Sequence, residues 1–216
     1  MDSFPSQPIL LLLLLFLLIF AVVARPSLST PTTDDPPPTN PVDFIRSSCN
    51  TTLYPDICYT SLSRYANAVG LDPAQMARIS IGVTLVKAHH TATFFNNLTK
   101  QSDYYTPNPR ATSALHDCSA TFRDAVDQIR GSLKQMTQLV SATGSSTPES
   151  IRFQVSNVQT WMSAALTNED TCTDGFQDVA DCPIKNMVGD KVVTVKQLNS
   201  NALALVNSYA DSVNYR

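Results

Sequence analysis

The residues with the most distinctive chemistry are five cysteines: Cys49, Cys58, Cys118, Cys172 and Cys182. They show no Cys-x-x-Cys pair or other metal-ligand spacing, which disfavours a zinc site. Disulfide formation is the default chemistry of cysteine in an exported protein, and an odd number leaves one thiol over. Residue type alone leaves open which thiol is spare and which of three connectivities joins the other four.

The histidines do not form a catalytic arrangement in the sequence. His89 and His90 are adjacent on a predicted helix, so they point about 100° apart and cannot converge on one metal. The chain has no Gly-x-Ser-x-Gly elbow, His-Glu-x-x-His motif or phosphate-binding loop. A formal net charge of -3 gives no basic footprint for nucleic acid. We therefore expect a protein that is not an enzyme and needs no cofactor or metal.

An apolar run from Ile9 to Val23 marks the N-terminus. It is shorter than the roughly 20 residues of a membrane-spanning helix, and small side chains precede residue 25. This pattern predicts a secretory signal peptide over residues 1–24, and hence an extracellular protein without a membrane segment after cleavage. A retained signal anchor is the alternative, because the segment carries Asp2 and no lysine or arginine.

Residues 25–42 are rich in proline and poor in large apolar side chains. Such a composition cannot form a core, and it predicts a disordered or polyproline-like leader. Two glycosylation sequons agree with export, one at Asn50 and one at Asn97. Asn97 is the preferred acceptor because Asn50 lies directly beside Cys49.

Helical patterns fill the chain from residue 71 onward. Asp72 and Pro73 combine an N-cap with a proline at the first helical position. Apolar stripes with spacings of three and four residues follow, separated by breaks such as residues 106–110 and 142–149. The stripes are Ile79-Val83-Val86-His90-Phe94, Leu115-Cys118-Phe122-Ala125-Ile129-Leu133-Met136-Val140, Ile151-Val155-Val158-Met162-Ala165-Cys172-Phe176 and Val192-Val195-Leu198-Ala202-Leu205-Tyr209.

These stripes predict an all-α fold, an up-and-down four-helix bundle over residues 71–216 with helices of some 25 residues. His90 is expected in the core because it falls on the first stripe. Residues 43–70 read as a separate helical hairpin, two short pieces that flank the turn TTLYPD at residues 51–56. We expect the hairpin and the bundle to form one domain.

The helical layout narrows the cysteine pairing. Cys49 and Cys58 stand nine residues apart across the hairpin turn, so a bond between them would hold the hairpin together. Cys118 lies in the first turns of the second bundle helix and Cys172 at the end of the third, and antiparallel neighbours bring those ends together. Cys182 remains as a free thiol, with a redox-linked dimer through it as the alternative.

Four segments together resemble the plant invertase and pectin methylesterase inhibitor family. They are FIRSSCNTTLYPDICYTSL, HDCSATFRDAVDQIRGSL, TWMSAALTNEDTCTDGF and LNSNALALV. The resemblance covers nearly all of the chain after the proline-rich leader. It implies a helical hairpin on a four-helix bundle, disulfides from the first cysteine to the second and from the third to the fourth, and a free fifth cysteine. This pairing agrees with the one that the helical layout favours.

The family contains two kinds of inhibitor, which cover the pectin-binding cleft of pectin methylesterase or occlude the active site of acid invertase. The segments DAVDQIR and TWMSAALTNEDTCTDGF look more like the first kind, and a Pro-Lys-Phe motif associated with the second is absent. The resemblance therefore implies a secreted, monomeric inhibitor of pectin methylesterase in the cell wall. Acid invertase is the alternative target, and a non-inhibitory cell-wall binding protein of the same fold is the second alternative.

The resemblance also implies which residues contact the target. In similar inhibitors, carboxylates that follow the third and fourth cysteines face the enzyme, which points to Asp124, Asp127 and Asp174. Asp124 and Asp127 are three residues apart and share one helix face. The acidic residue that the family often has two positions after the third cysteine is Ala120 in this chain. Further polar candidates are Thr84, Thr91 and Thr171.

Overall fold

The structure is a computed structural model that describes residues 38–105, 108–142 and 147–214. The signal peptide expected over residues 1–24 and most of the leader expected over residues 25–42 lie outside the described residues. Within the described ranges every regular element is helical. Among these same residues, no helix combines the length and the apolarity needed to cross a membrane.

The N-terminal hairpin consists of α1, Pro41–Cys49, and α2, Pro55–Leu62, followed by a 3-10 turn, Ser63–Tyr65, and α3, Ala66–Val69. The Asn40 side chain accepts a hydrogen bond from the Asp43 N–H at 3.0 Å and so caps α1. The expected end of the leader at residue 42 is therefore wrong, because the capped helix already includes Pro41 and Val42. Gly70 follows α3 with φ +59°, a conformation that favours glycine.

The bundle consists of α4, Pro73–Tyr105, α5, Pro109–Ser141, α6, Pro148–Asp174, and α7, Pro183–Asn214. Each helix begins at a proline, whose fixed φ and missing N–H suit the first helical turn. Side chains of Asp72, Asn108 and Thr147 accept hydrogen bonds from N–H groups at the starts of α4, α5 and α6. The helices have 33, 33, 27 and 32 residues, longer than the expected length of some 25, because their terminal turns extend beyond the predicted stripes.

The four long helices form a closed ring in which each contacts the helices before and after it, and α7 returns to α4. This arrangement confirms the all-α, up-and-down four-helix bundle. The stripes predicted for α5, α6 and α7 face the interior as expected, with side chains such as Phe122, Met162 and Val195 fully buried. Phe95 of α4 meets Phe122 of α5 edge to face, with ring centroids 5.1 Å apart.

The apolar stripe predicted for α4 lies outside the bundle interior except at Phe94, which is half-buried against the bundle core. Val86 is 59% exposed and His90 is also exposed, so the prediction of a core histidine is wrong. The core-facing positions lie one or two residues further on, about 100–200° around the helix. They are Ala77, Ile81, Thr84, Ala88, Thr91 and Phe95. The small alanine and threonine side chains allow α4 to lie close to its neighbours, while the larger Ile79 and Val83 pack against the hairpin.

Both predicted disulfides are confirmed, Cys49–Cys58 in the hairpin and Cys118–Cys172 between α5 and α6. Cys182 is free and half-buried against the bundle core. One disulfide therefore lies in the hairpin and the other in the bundle.

The hairpin has a small core that includes side chains of the bundle. Its buried residues are Ile45, Cys49, Cys58, Leu62 and Val69, together with Met76 of α4 and Leu205 of α7. The Asn201 side chain of α7 also accepts from the Tyr54 N–H at 3.1 Å and donates to the Tyr54 carbonyl at 2.9 Å. The hairpin thus buries its apolar side chains by resting on α4 and α7.

Candidate protein-binding surface

Helices α5 and α6 are joined at several levels along their length. The Cys118–Cys172 disulfide links them near one end. Further along, two amide pairs are hydrogen-bonded across the interface: Asn168 Nδ2 to Gln128 Oε1 at 3.0 Å, and Gln135 Nε2 to Gln154 Oε1 at 2.8 Å. These links oppose sliding of one helix along the other, so the surface that the pair presents is fixed before a partner binds.

Asp124 and Thr171 lie on this fixed surface, and both are exposed. Asp124 is one turn before Gln128 on α5, and Thr171 is one turn after Asn168 on α6. Because the two helices are antiparallel, both residues lie between the Gln128–Asn168 hydrogen bond and the disulfide. We call the surface formed by Asp124, Gln128, Asn168 and Thr171 the α5–α6 face.

The other two predicted carboxylates lie at the margins of the α5–α6 face. Asp127 is exposed on α5 and forms an ion pair with Arg130, whose side chain is itself 52% exposed. Asp174 is exposed in the last turn of α6 and accepts a hydrogen bond from Gln177 Nε2 at 2.9 Å. An ion pair this exposed contributes little to stability, so the Asp127 carboxylate is available to a partner.

Two of the predicted contact residues are not available to a partner. Thr84 and Thr91 are buried, with 0% and 2% exposure, on the core-facing side of α4. The Thr84 hydroxyl donates to the Ser80 carbonyl at 2.9 Å, within its own helix. The assignment of these two threonines to a contact surface is therefore wrong, for the same reason that the α4 stripe is wrong.

Glu169 is a functional group that the sequence analysis missed. It is fully buried in α6, and its Oε1 accepts a hydrogen bond from Asn199 Nδ2 of α7 at 3.1 Å. Burial raises the pKa of Glu169 to about 8, and the Asn199 hydrogen bond lowers it by less. Neighbouring charges act in opposite senses, since Asp170 raises the pKa and Lys196 lowers it. The carboxyl is therefore protonated at neutral and acidic pH.

The proton on Glu169 bears on two buried oxygen atoms that lack hydrogen-bond partners at this site. Glu169 Oε2 and Asn199 Oδ1 are both buried acceptors without a hydrogen-bond donor among the described residues. A carboxylic acid proton on Oε2 makes that oxygen a hydrogen-bond donor, the role that neither of these two acceptors fills when Glu169 is ionised. Just outside, Asp170 and Lys196 form an ion pair between the same two helices.

The sequence did contain a signal for the burial of Glu169. The core positions of α6 include Val158, Met162, Ala165 and Cys172, with spacings of four, three and seven residues. The gap of seven requires one more core residue, and alternation of three and four places it at position 169. A charged residue at a core position of a helix predicts a buried, partnered group.

The structure is a cross-linked helical bundle with a fixed, exposed polar face, and within the described residues no group of three or more histidine, cysteine and carboxylate side chains could hold a metal. The comparisons identify the family to which such a bundle belongs. The family described as plant invertase/pectin methylesterase inhibitor matches residues 43–205. The chain therefore belongs to the plant invertase/pectin methylesterase inhibitor family.

Individual relatives support the same assignment. The chain is 39% identical to the 21 kDa protein of Daucus carota over 168 residues, 77% of this chain and 83% of the relative. It is 37% identical to pectinesterase inhibitor 11 of Arabidopsis thaliana over 170 residues, 78% of this chain and 81% of the relative. A crystal structure of a mutant pectin methylesterase inhibitor from Arabidopsis shares the fold, with a TM-score of 0.56 and 19% identity over 74% of this chain and 92% of that one.

Proposed function

We propose that this chain is a non-catalytic inhibitor of pectin methylesterase that binds the enzyme through the α5–α6 face. The observation that carries the proposal is the exposed carboxylate of Asp124 on two helices locked by the Cys118–Cys172 disulfide. The family description names both invertase and pectin methylesterase, but relatives such as pectinesterase inhibitor 11 are named after the esterase. Acid invertase is therefore the less favoured target.

The proposed mechanism requires no reactive group on the inhibitor. Pectin carries carboxylates, so a cleft that binds it complements negative charge, and Asp124, Asp127 and Asp174 offer that charge without an ester to cleave. Association costs entropy when loops and side chains must be ordered. Helices that are already cross-linked reduce this cost. A standard interface buries about 1,600 Å² in total, and a few central residues dominate its free energy.

A direct test is to add the mature, oxidised protein to a purified pectin methylesterase and, in parallel, to a purified acid invertase. We expect the esterase to lose activity at a one-to-one molar ratio and the invertase to keep its activity. If only the invertase lost activity, the proposed target would be wrong and acid invertase would replace it. Full activity of both enzymes would leave a non-inhibitory cell-wall protein as the correct assignment.

Substitutions on the α5–α6 face test the proposed surface. Asp124→Asn removes a charge without changing shape, and it should weaken inhibition about tenfold, or about 1.4 kcal/mol, which is more than most interface residues contribute. The matched control is Asp190→Asn on α7, an exposed aspartate outside the proposed surface. An unchanged inhibition constant for Asp124→Asn would remove this residue from the interface.

The proposal places the inhibitor outside the cell, as a monomer until it meets its target. Two disulfides fit an oxidising compartment. Asn97 and Asn50 are both exposed, and Asn97 is the proposed glycosylation site. Mass spectrometry of secreted material should find a chain that starts at residue 25 and carries a glycan at Asn97. A chain that retains its first 24 residues would favour the signal anchor.

A further inference from the structure

A groove runs between the hairpin and the outer side of α4. Its volume is about 750 Å³, within the range of small-ligand sites, and it is open to solvent along one side. One wall follows α2, the 3-10 turn and α3, and the other follows the outer stripe of α4. Leu133 of α5 and Thr194 and Leu198 of α7 complete the lining. The exposed side chains of Val86 and Tyr65 belong to these two walls.

The charges around this groove, which we call the hairpin groove, are all of one sign. Arg64, Arg78 and Lys87 line it together with the imidazole of His90, and no aspartate or glutamate is among its lining residues. This is a marked local excess, since the whole chain has 18 acidic and 15 basic residues. The hairpin groove therefore complements a negatively charged ligand.

The three cations of the hairpin groove also lack acidic partners. Elsewhere in the described residues, ion pairs form at five other cations, Arg110, Arg130, Arg152, Lys185 and Lys196, while further exposed ones such as Lys100, Arg123 and Lys134 have none, as in the groove. Within the same residues no carboxylate lies within ion-pair distance of Arg64, Arg78 or Lys87. Arg78 donates from Nε to Gln75 Oε1 at 2.9 Å, which leaves its terminal nitrogens available, and the Arg64 guanidinium lies over the Tyr65 ring, 5.3 Å from its centroid.

The distribution of these groups favours one class of anion. Arg78 and Lys87 are nine positions apart on α4, about 13 Å along the helix axis, and Arg64 faces them from the hairpin. A lipid with a single head group would use one cation and leave its tail in an open groove. A chain of uronic acids carries one carboxylate per sugar, and the apolar faces of its rings can rest on Val83, Val86 and Tyr65. The hydroxyl groups of Thr60 and Ser61 already donate to backbone carbonyls of α2, so their oxygens can accept from sugar hydroxyls.

We propose that the hairpin groove is a binding site for an acidic oligosaccharide, a short run of uronic-acid residues. The site lies on the outer side of α4, whereas the α5–α6 face lies on the two following helices. The inhibitor would thereby hold a stretch of acidic polysaccharide by one surface and its protein target by another. The choice of a pectin-type acid among the possible polyanions rests on the proposed function. The existence of the groove and its positive charge are independent of that function.

The test is a calorimetric titration of the mature protein, without any enzyme, with an oligogalacturonate of about eight sugars. We expect saturable binding that weakens as salt is added, because the contacts are largely exposed charges. The fully methyl-esterified oligomer has the same rings without the charge, and it should bind at least tenfold more weakly. Equal binding of the free acid and the ester would overturn the proposal.

Variants then assign the binding to the hairpin groove. The triple variant Arg64→Gln, Arg78→Gln, Lys87→Gln should bind the oligogalacturonate at least tenfold more weakly. The matched control is Lys100→Gln, Arg123→Gln, Lys134→Gln, which removes the same charge from exposed positions outside the groove and should bind within twofold of the wild type. Equal losses in the two triple variants would show a non-specific charge effect and overturn the site.

A milder variant guards against a change in folding. Val86→Ser keeps all the charges and removes apolar area from an exposed position, so it should weaken binding a few-fold with unchanged circular dichroism.

Sedimentation tests whether the groove is instead an interface between two copies of the chain. If the wild type forms a dimer that Val86→Asp dissociates, the groove is such an interface and the proposal is wrong. Because the titration contains no esterase, its outcome is independent of whether the chain inhibits that enzyme.

Discussion

The hairpin and the bundle each contain one disulfide, but they use it differently. In the bundle, Cys118–Cys172 joins two long helices that already bury a large shared core. In the hairpin, Cys49–Cys58 joins two helices of nine and eight residues whose few buried side chains rest on Met76 and Leu205 of the bundle. The bundle is thus stabilised by packing and tightened by its disulfide, whereas the hairpin lacks a core sufficient to fold alone.

This difference separates the two proposed surfaces. The α5–α6 face lies on the well-packed region, where a fixed shape favours tight docking to a folded protein. The hairpin groove has one wall in the weakly packed region, where a change of hairpin position alters the ligand site without altering the bundle. The following predictions test this separation, beginning with the largest expected effect.

Removal of the bundle disulfide should have the largest effect on global stability. The bond spans 54 residues, so the loop-entropy relation gives a loss of about 4 kcal/mol in the free energy of unfolding for the double variant Cys118→Ser, Cys172→Ser. Urea unfolding followed by far-ultraviolet circular dichroism measures it. A loss below about 1 kcal/mol would show that packing alone fixes the α5–α6 pair.

Glu169 should make the bundle less stable as the pH rises. Its folded pKa of about 8 lies above the unfolded value of 4.5, so the folded state retains a proton that the unfolded state releases. The contribution is complete below pH 4.5 and decreases by about 1.4 kcal/mol per pH unit, or about 3 kcal/mol between pH 5 and pH 7. Glu169→Gln keeps an oxygen that can accept from Asn199 Nδ2 and supplies N–H donors, and it does not titrate.

Urea unfolding of the wild type and Glu169→Gln at pH 5, 6 and 7 provides the measurement. The free-energy difference between the two proteins should change with pH in favour of the variant. Glu149→Gln is the matched control, because Glu149 is exposed and makes only a long ion pair, with 3.9 Å between its Oε1 and Arg152 Nη1. Parallel pH profiles for the wild type and Glu169→Gln would show that Glu169 does not hold a proton in the folded state.

Removal of the hairpin disulfide should have a smaller and more local effect. The separation of nine residues gives about 2.5 kcal/mol by the same relation for Cys49→Ser with Cys58→Ser. Hydrogen exchange should accelerate over α1, α2 and α3 while α5 and α6 keep their protection. Binding to the hairpin groove should weaken and inhibition of the esterase should persist. Faster exchange throughout α5 and α6 would show that hairpin and bundle unfold together.

The smallest effect is expected at the amide pair of the α5–α6 face. Gln128→Ala removes one side-chain hydrogen bond to Asn168, which contributes about 1 kcal/mol. A comparable loss for Asn168→Ala, with no further loss in the double variant, would confirm that the two residues act as a pair. Fully additive losses would show that the contact is not an energetic link between the helices.

Much of the fold follows from local patterns in the sequence. Prolines at positions 73, 109, 148 and 183 begin the four long helices, and stripes in α5, α6 and α7 identify their buried faces. The cysteine pairing follows from antiparallel neighbours. These features are predictable because each of these helices has one dominant apolar face, and the bundle is the arrangement that buries all of them.

The orientation of α4 was decided by the tertiary structure. This helix packs on the bundle with one side and on the hairpin with the other, so it has two apolar faces, and the larger side chains are on the outer one. Sequence periodicity cannot rank two such faces, and Thr84 and Thr91 were placed on the surface as a result. Close approach of neighbouring helices favours the small side chains inside, which depends on partners that are remote in sequence.

By itself, the sequence determined the helices, the covalent framework and the exposed carboxylates on and beside the α5–α6 face, since each depends on residue type and spacing along the chain. The protonation of Glu169 and the grouping of three cations in the hairpin groove depend on contacts between α6 and α7 and between the hairpin and α4. Only the folded chain brings those groups together, because desolvation and charge complementarity depend on distance in space and not on separation in sequence.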